Sequence, residues 1–530
     1  MRTRLLFLLI PLLCSPAACG DDSGSSPADA APTDTDGGPD IDADIPDGYP
    51  FDDGADFDHA NCDSAPALDQ VALRGIWHMD IDYDDFGSSA SVMRFNDPEG
   101  ALTAFYTGVE MQELSVSATD ILIRLAYTDS QERERVYAFD VCAKDSDGNL
   151  HGRYAVCTDG DCYFASVLWA RVDPFDTEEA VGITKVSEYN GPADAPWPVD
   201  DRNLTVNVRH LGTTAYVARY EDGLRIVDIS DPTAPQEVAH IPVKLPDAHE
   251  IFNDIKVVSA NGKTYALCAS SRDGVIAYDV TDPQNWTEVS AFPPLTDEYV
   301  NVHTLFIDGT RAFLANTSES VSGLDIYDIA DPEAPVFLGR YQAPDLATLG
   351  GFVHDLYVKD GRAYLNYWNR GMYVVDAQDP TAPEVVGVFD NYSDRRTSHS
   401  VWVTEAGGKP IAVHGGEDFG AHVRIVDLTT APTYEEIGSF ETRPQVSVHN
   451  IMAVGERALV TYYQDGFRVL DLSNPAQPTE IAHFATWKGT QPAYGNSFYE
   501  GAIGVDYNPD NGDIYLADTH RGLFILRLDP

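Results

Sequence analysis

The chain has 530 residues, which is enough for more than one folded domain. Its 85 Asp and Glu residues outnumber its 34 Lys and Arg residues, so the formal net charge is −51 at pH 7. A field of this sign repels nucleic-acid phosphates and anionic lipid surfaces, and it attracts cations and basic partners. We therefore exclude nucleic acid as a partner.

Residues 1–19 have the pattern of a bacterial lipoprotein signal peptide. Two arginines precede an apolar run over residues 5–13, which is too short to span a bilayer. Small residues come before Cys19 and Gly-Asp-Asp follows it, so the segment resembles a lipobox, with Pro16 where Leu is usual. The resemblance implies lipidation of Cys19 and a place in the bacterial cell envelope, with the anchor as the sole membrane contact. Ordinary cleavage with free secretion is the alternative.

Residues 20–60 are predicted to be an acidic disordered linker. The stretch is rich in Asp, Ala, Pro and Gly and has few large apolar residues, so it cannot offset the entropy cost of ordering. Its alternating aspartates are typical of calcium loops, but the Glu and Gly that an EF-hand requires are missing. A spacer is therefore favoured over a weak calcium site.

Residues 62–175 predict a small all-β domain, a barrel or a sandwich. About eight short strands rich in β-branched and aromatic residues are separated by turn sequences such as Asp145-Ser-Asp-Gly148. The Gly75-Ile-Trp77 opening resembles that of lipocalin-like barrels. Both a filled core and a ligand cavity remain open for a domain of this size.

Four cysteines of this domain predict two disulfide bonds, because export favours oxidation. Cys157 and Cys162 flank a tight Thr-Asp-Gly-Asp hairpin and should pair across it. Cys62 would then pair with Cys142. A zinc site is the rival interpretation, although the spacing lacks a CxxC pair. Cys268 lies in an apolar strand and is expected to be a buried free thiol.

Residues 178–530 contain a repeated L-x-I-x-D-x-x-D-P pattern with a period of roughly 50 residues, which is typical of propeller blades. The copies are centred on Asp228, Asp279, Asp328, Asp376, Asp427, Asp471 and, in altered form, Arg527. Each copy reads as one four-stranded sheet, so we predict a seven-bladed all-β propeller. The last copy lacks a fourth strand. Ala180–Tyr189 resembles the other fourth strands and is expected to close the ring.

These repeats resemble the LVIVD repeat family of bacterial and archaeal surface proteins. Leu224–Asp231 (LRIVDISD) and Val423–Leu428 (VRIVDL) carry the resemblance best, and Arg527 departs from it. The resemblance implies a β-propeller at the cell surface. It implies no common substrate or reaction.

Four repeats place a histidine at the start of their first strand. These residues are His303, His354, His399 and His449. Asn253 takes the corresponding position in the second blade and Gly501 in the last. Because the first strand of a blade is innermost, the imidazoles could ring one mouth of the central channel and bind a divalent metal, either a transition metal or Ca²⁺. Structural hydrogen bonds between blades are the alternative.

The turns between second and third strands share that face, and they predict a loop surface that binds a protein or carbohydrate. Its candidate residues are Trp368, Arg370, Tyr463, Asp465, Tyr494, Tyr499 and His520. The leading hypothesis is a monomeric, non-enzymatic, lipid-anchored envelope scaffold. The alternative is a metal-dependent enzyme, an oxidase or hydrolase, that uses the histidines of the channel mouth.

Replacing Cys19 tests the anchor. The Cys19→Ser variant should lose incorporation of labelled fatty acid and move to the soluble fraction, because a serine cannot form the thioether that a lipidated cysteine carries. Labelling that persists in the variant would show that the lipobox prediction is wrong.

Overall fold

The computed structural model describes residues 57, 62, 67–84, 87–96, 101–129, 131–200, 202–246, 249–293, 300–318, 322–344, 351–390, 397–488 and 495–530. The predicted signal peptide, the lipidation site Cys19, the bulk of the linker and Tyr494 lie outside these residues. Within them the chain is almost entirely β, with two short 3-10 turns at Leu68–Gln70 and Pro283–Asn285. No described helix is long and apolar enough to cross a membrane.

The chain divides into two compact units. Unit 1 contains Met1–Asp173 together with Tyr494–Tyr499, and unit 2 contains Pro174–Ala493 and Glu500–Pro530. Unit 1 therefore incorporates a short segment from the connector that precedes the last predicted blade.

Unit 1 is built on one antiparallel sheet of nine strands in the order β4-β3-β2-β1-β9-β8-β7-β6-β5. The strands are β1 Gly75–Tyr83, β2 Ser88–Asn96, β3 Thr103–Tyr106, β4 Val109–Glu110, β5 Glu113–Val116, β6 Ile121–Thr128, β7 Glu134–Lys144, β8 Leu150–Thr158 and β9 Asp161–Val172. Consecutive strands pair except β4 and β5, and the first strand pairs with the last. This meander is an up-and-down barrel left open between β4 and β5 rather than a sandwich of two sheets.

Aromatic side chains fill the inner face of this sheet. Trp77, Met79 and Ile81 alternate along β1 and belong to a single buried cluster. The Phe139 ring lies 4.5 Å from the Tyr154 ring in the same cluster. The interior of unit 1 is therefore packed core, which favours the filled-core interpretation over a ligand cavity.

Both predicted disulfide bonds are present, Cys157–Cys162 and Cys62–Cys142. Cys157 and Cys162 are direct partners across the β8–β9 hairpin. The hairpin turns through Asp159 and Gly160, which both have positive φ, as a type I′ turn requires. Cys268 is free and buried, as expected.

Unit 2 contains seven four-stranded antiparallel blades. Two short strands, β10 Ala180–Val181 and β11 Ile183–Tyr189, come before the first blade. Blade 1 is β12 Thr205–Leu211, β13 Thr214–Arg219, β14 Gly223–Asp228 and β15 Gln236–Ile241, and blade 2 is β16 Phe252–Ala260, β17 Lys263–Ser270, β18 Gly274–Asp279 and β19 Thr287–Phe292. Blade 3 is β20 Val302–Asp308, β21 Arg311–Asn316, β22 Gly323–Asp328 and β23 Val336–Tyr341, and blade 4 is β24 Val353–Lys359, β25 Arg362–Tyr367, β26 Gly371–Asp376 and β27 Glu384–Phe389. Blade 5 is β28 Ser400–Ala406, β29 Lys409–Gly415, β30 Val423–Asp427 and β31 Glu435–Phe440, and blade 6 is β32 Ile451–Val454, β33 Arg457–Thr461, β34 Phe467–Asp471 and β35 Thr479–Phe484. Blade 7 is β36 Ala502–Tyr507, β37 Asp513–Asp518 and β38 Gly522–Leu528, with β11 as its fourth strand. This arrangement confirms the predicted seven-bladed propeller.

The repeated aspartate ends the third strand of a blade. In blades 1 to 6 its Oδ1 accepts a hydrogen bond from the backbone N–H two residues later, at 2.8–3.1 Å. This contact is an Asx turn, which leads the chain out of the strand before the proline. The last blade has Arg527 instead, which bonds Asp513 on the neighbouring strand.

A strand from before the first blade closes the ring. β11 pairs antiparallel with β38 and is the fourth strand of the last blade, as predicted. The two residues of β10 pair instead with β35 in blade 6, so the predicted strand Ala180–Tyr189 is divided between two blades. Gly182, with φ 63°, makes the step between them, because a Cβ there would lie 2.8 Å from the Ile481 carbonyl oxygen.

Packing between neighbouring blades supplies the cores of unit 2. Leu324 and Ile326 on β22 belong to one buried cluster with Val353 on β24 and Leu365 on β25. Equivalent clusters join blades 2 and 3, blades 4 and 5, and blades 6 and 7. Blades 2 to 7 are therefore each buried against at least one neighbour, as expected of a propeller.

Two truncations test the closure. Deleting residues 1–176 should leave a cooperatively folding propeller, whereas deleting residues 1–190 removes β10 and β11 and exposes the edge of β38. The second protein should unfold less cooperatively or aggregate. Both truncations remove Met1–Asp173 of unit 1, so differential scanning calorimetry of the pair isolates the closing strands. Equal thermal stability of the two proteins would contradict closure by β11.

Loop length distinguishes the two disulfides. Removing a crosslink returns entropy to the unfolded chain in proportion to the logarithm of the loop it closes. The loops span 5 and 80 residues. Cys157→Ala/Cys162→Ala should therefore lower the free energy of unfolding by about 2 kcal/mol, and Cys62→Ala/Cys142→Ala by about 4.5 kcal/mol. Urea titrations of the two double variants measure this, and the reverse order would contradict the loop argument.

Candidate functional site

The innermost strands of the propeller begin with a β-bulge that re-aims one side chain. On β24, Val353 pairs with Tyr367 and Asp355 pairs with Asn366, so His354 is the extra residue between them. The same shift in blades 1, 2, 3 and 7 leaves out Val206, Asn253, His303 and Ile503. In the last blade this position falls at Ile503 rather than at Gly501.

Innermost strands of all seven blades line a central cavity, and in blades 1 to 4 the residue after the bulge is part of this lining. Asp254 holds the Lys256 ammonium 2.5 Å away and accepts a hydrogen bond of 2.7 Å from Asn207. Burial raises the pKa of Asp355, which lies in the same cavity, to about 6. These polar groups pair with one another, so contacts within the propeller explain their presence in the cavity without a ligand.

The four predicted histidines lie together in an arc of imidazole rings. The ring centroids of His303 and His354 are 4.1 Å apart, those of His354 and His399 are 4.5 Å apart, and those of His399 and His449 are 4.4 Å apart. His354 and His399 are buried. We call this arc, together with Glu417 and Tyr463, the imidazole cluster.

Glu417 brings a carboxylate into the imidazole cluster from the segment that follows β29. Its Oε2 lies 3.3 Å from His399 Nε2, and its Oε1 lies 3.7 Å from His449 Nε2. The Tyr463 hydroxyl donates a hydrogen bond to the same carboxyl group. Ligand atoms of His354, His399 and Glu417 all lie within 4.8 Å of one another.

Burial sets the protonation of the imidazole cluster. It lowers the pKa of His303 to about 4 and that of His449 to about 3, and it holds the pKa of His354 and His399 well below the ordinary value. Burial also raises the pKa of Glu417 to about 8. At neutral pH the imidazoles are therefore uncharged, and the Glu417 carboxyl is largely protonated.

One hydrogen bond fixes the tautomer of His449. Its Nδ1 lies 2.7 Å from the Ile503 carbonyl oxygen, which can only accept a hydrogen bond. The proton is therefore on Nδ1, and the lone pair of Nε2 faces Glu417.

Trp368 lies at the rim of the imidazole cluster, in the turn between β25 and β26. Its ring stacks on Phe352 at 5.8 Å and lies 4.8 Å from the His354 ring. Asn369, next in the chain, is exposed. The Arg370 guanidinium lies 5.8 Å from the Tyr367 ring and 5.6 Å from the Tyr373 ring. This turn presents aromatic and cationic surface to solvent.

The other predicted ligand residues are buried in their own units. Tyr463 belongs to the imidazole cluster, and its ring lies 5.0 Å from His449. Asp465 bonds the Arg443 guanidinium at 2.6 Å, and His520 Nδ1 lies 2.8 Å from Thr519 Oγ1. Tyr499 falls in unit 1, where its ring packs on Phe498. Of the candidates for binding a protein or carbohydrate that the structure describes, only Trp368 and Arg370 are partly exposed.

Sequence reasoning did not single out Glu417, which follows Gly415 and Gly416. The feature of the sequence that could have indicated it is the pair of glycines at the end of β29. A glycine is required at position 416, because a Cβ there would lie 2.6 Å from Thr397 Oγ1. That close approach brings the following residue inward. The chain carries 85 acidic residues, so the residue type alone gave no warning.

The LVIVD repeat family model matches residues 205–241, 350–391 and 447–486, which are the strands of blades 1, 4 and 6. No curated protein sequence matches the chain. Among solved structures, the computationally designed Ika8 protein is 8% identical, with a TM-score of 0.42, over 78% of this chain and 94% of that one. Raptor from Chaetomium thermophilum is 12% identical, with a TM-score of 0.45, over 66% of this chain and 29% of that one. The chain thus carries LVIVD repeats in a seven-bladed propeller, an arrangement that in general suggests an interaction scaffold.

Proposed function

We propose that this chain is a monomeric binding scaffold of the bacterial cell envelope, anchored by a lipid on Cys19, whose propeller binds a protein or carbohydrate partner at the turn around Trp368. The observation that carries the proposal is the half-buried Trp368 ring, stacked on Phe352 at 5.8 Å beside the exposed Asn369. The predicted acidic linker, residues 20–60, would supply reach between the anchor and the domains that follow it.

Rigid aromatic surface explains why this turn is the contact. A tryptophan that already packs against two other rings loses little side-chain entropy when a ligand covers its exposed surface. Phe352 and His354 supply those neighbouring rings, at 5.8 and 4.8 Å. Arg370, two residues later in the same turn, adds a cation and hydrogen-bond donors, and Trp and Arg are the residue types enriched in binding hot spots.

The net charge of the chain limits the chemical class of partner that can bind. With a formal net charge of −51, the protein repels acidic proteins and acidic polysaccharides. A basic protein surface or a neutral carbohydrate is therefore the partner class that we propose, and it contacts the turn rather than the buried Tyr463, Asp465 and His520.

A metal-dependent enzyme, an oxidase or a hydrolase, is the second candidate function. The observation that favours it is the grouping of His354, His399 and Glu417 within 4.8 Å. This candidate requires a bound metal ion, whereas the scaffold does not, so the two proposals separate experimentally.

Photo-crosslinking in intact cells tests the scaffold. A benzophenone amino acid placed at Asn369 should crosslink to one defined envelope protein or glycan, because that position borders the Trp368 ring. The matched control is Asp360, which is exposed on the same blade at the other end of β25. It should give no such product.

The Trp368→Ala background should remove the crosslink from position 369 and still unfold in one cooperative thermal transition, at a lower midpoint because the packing on Phe352 and His354 is lost. Products of equal yield from positions 369 and 360, or a product that persists without Trp368, would contradict binding at this turn.

A further inference from the structure

We infer that His354, His399 and Glu417 form a binding site for one divalent transition-metal ion of the Zn²⁺ type. Their ligand atoms lie within 4.8 Å of one another, and all three side chains are buried. The ligands come from two neighbouring blades, since His354 belongs to blade 4 and the other two to blade 5. A metal here would therefore tie the two blades together.

The distance between two of the three ligand atoms already fits a bound metal ion. With metal–ligand bonds of about 2.0–2.1 Å, two ligands of a tetrahedral ion lie about 3.3–3.4 Å apart. His399 Nε2 and Glu417 Oε2 are 3.3 Å apart. The ligand atom of His354 lies within 4.8 Å of the other two, so a shift of up to about 1.5 Å or a rotation of its ring completes the set.

The donor set selects the class of ion. Two imidazole nitrogens and one carboxylate are the ligands of Zn²⁺ and of other borderline first-row dications. Ca²⁺ requires six to eight oxygen ligands, and this site offers one carboxylate. The cluster thus favours the transition-metal alternative over calcium. Three protein ligands leave at least one coordination position open.

Outer groups orient the ligands as they do around known metal centres. The Tyr463 hydroxyl donates to Glu417 Oε1 and leaves Oε2 directed at His399. His449 is held by the Ile503 carbonyl through Nδ1, and its Nε2 lies 3.7 Å from Glu417 Oε1. His449 therefore lies next to the three ligands but is not one of them.

Metal titration of the purified mature chain tests the inference. After chelation and desalting, isothermal titration calorimetry with Zn²⁺ should give one tight site per chain. Co²⁺ should occupy the same site with the visible absorption of a four- or five-coordinate ion, and the midpoint of thermal unfolding should rise on binding. Excess Mg²⁺ or Ca²⁺ should not displace it.

Three variants identify the ligands. Glu417→Gln, His354→Gln and His399→Gln should each abolish the tight site and its Co²⁺ absorption. Tyr463→Phe should keep the stoichiometry but weaken affinity about 10- to 100-fold, as loss of an outer-shell hydrogen bond does. The matched control is His151→Gln, which removes an exposed histidine 3.1 Å from Asp145 and should change nothing.

The outcomes are decisive because Glu417→Gln preserves size and removes only the ability to bind as a carboxylate. Wild-type thermal stability in the metal-free variant confirms that it folds. Absence of a tight site in the wild-type chain, or its retention in all three ligand variants, overturns the inference. These results are independent of crosslinking at position 369, so this site and the partner site can fail separately.

Discussion

Pairing of β11 with β38 is the constraint on which the propeller depends. Every other blade is completed by strands that are close in sequence, but the last blade borrows its outer strand from more than 300 residues away. The Arg521 guanidinium reinforces this junction by binding both Glu178 and Glu188. Closure by β11 covers the edge of β38, and it brings the innermost strands around one axis.

The candidate site follows from that convergence and from a bulge that recurs in the repeat. Five of the seven innermost strands show the register shift, and four neighbouring blades carry histidine at or beside its position. Blades 1, 2 and 7 have Val206, Asn253 and Ile503 instead. The imidazoles therefore form an arc along one side of the ring, and Glu417 faces that arc. A repeat with uniform geometry acquires an asymmetric site by varying one residue.

Local rules were sufficient to predict the fold, the gathering of the histidines and the Cys157–Cys162 pair, because each depends on strand period, register or a short turn. They failed where the chain leaves its repeat. Glu417 reaches the cluster through an irregular segment after β29, and Asp465 is buried because Arg443 covers it from a distant loop. The split of Ala180–Tyr189 arises from one glycine conformation. Such contacts are tertiary, and neighbouring residues do not encode them.

We propose that His354, His399 and Glu417, from the neighbouring blades 4 and 5, bind one transition-metal ion. Anomalous X-ray diffraction, recorded on both sides of the zinc absorption edge from crystals grown with one equivalent of Zn²⁺, tests it most directly. The predicted result is a single strong anomalous peak in contact with His399 Nε2, Glu417 Oε2 and a nitrogen of His354. Peaks confined to acidic surface residues, with none among these three side chains, would contradict it.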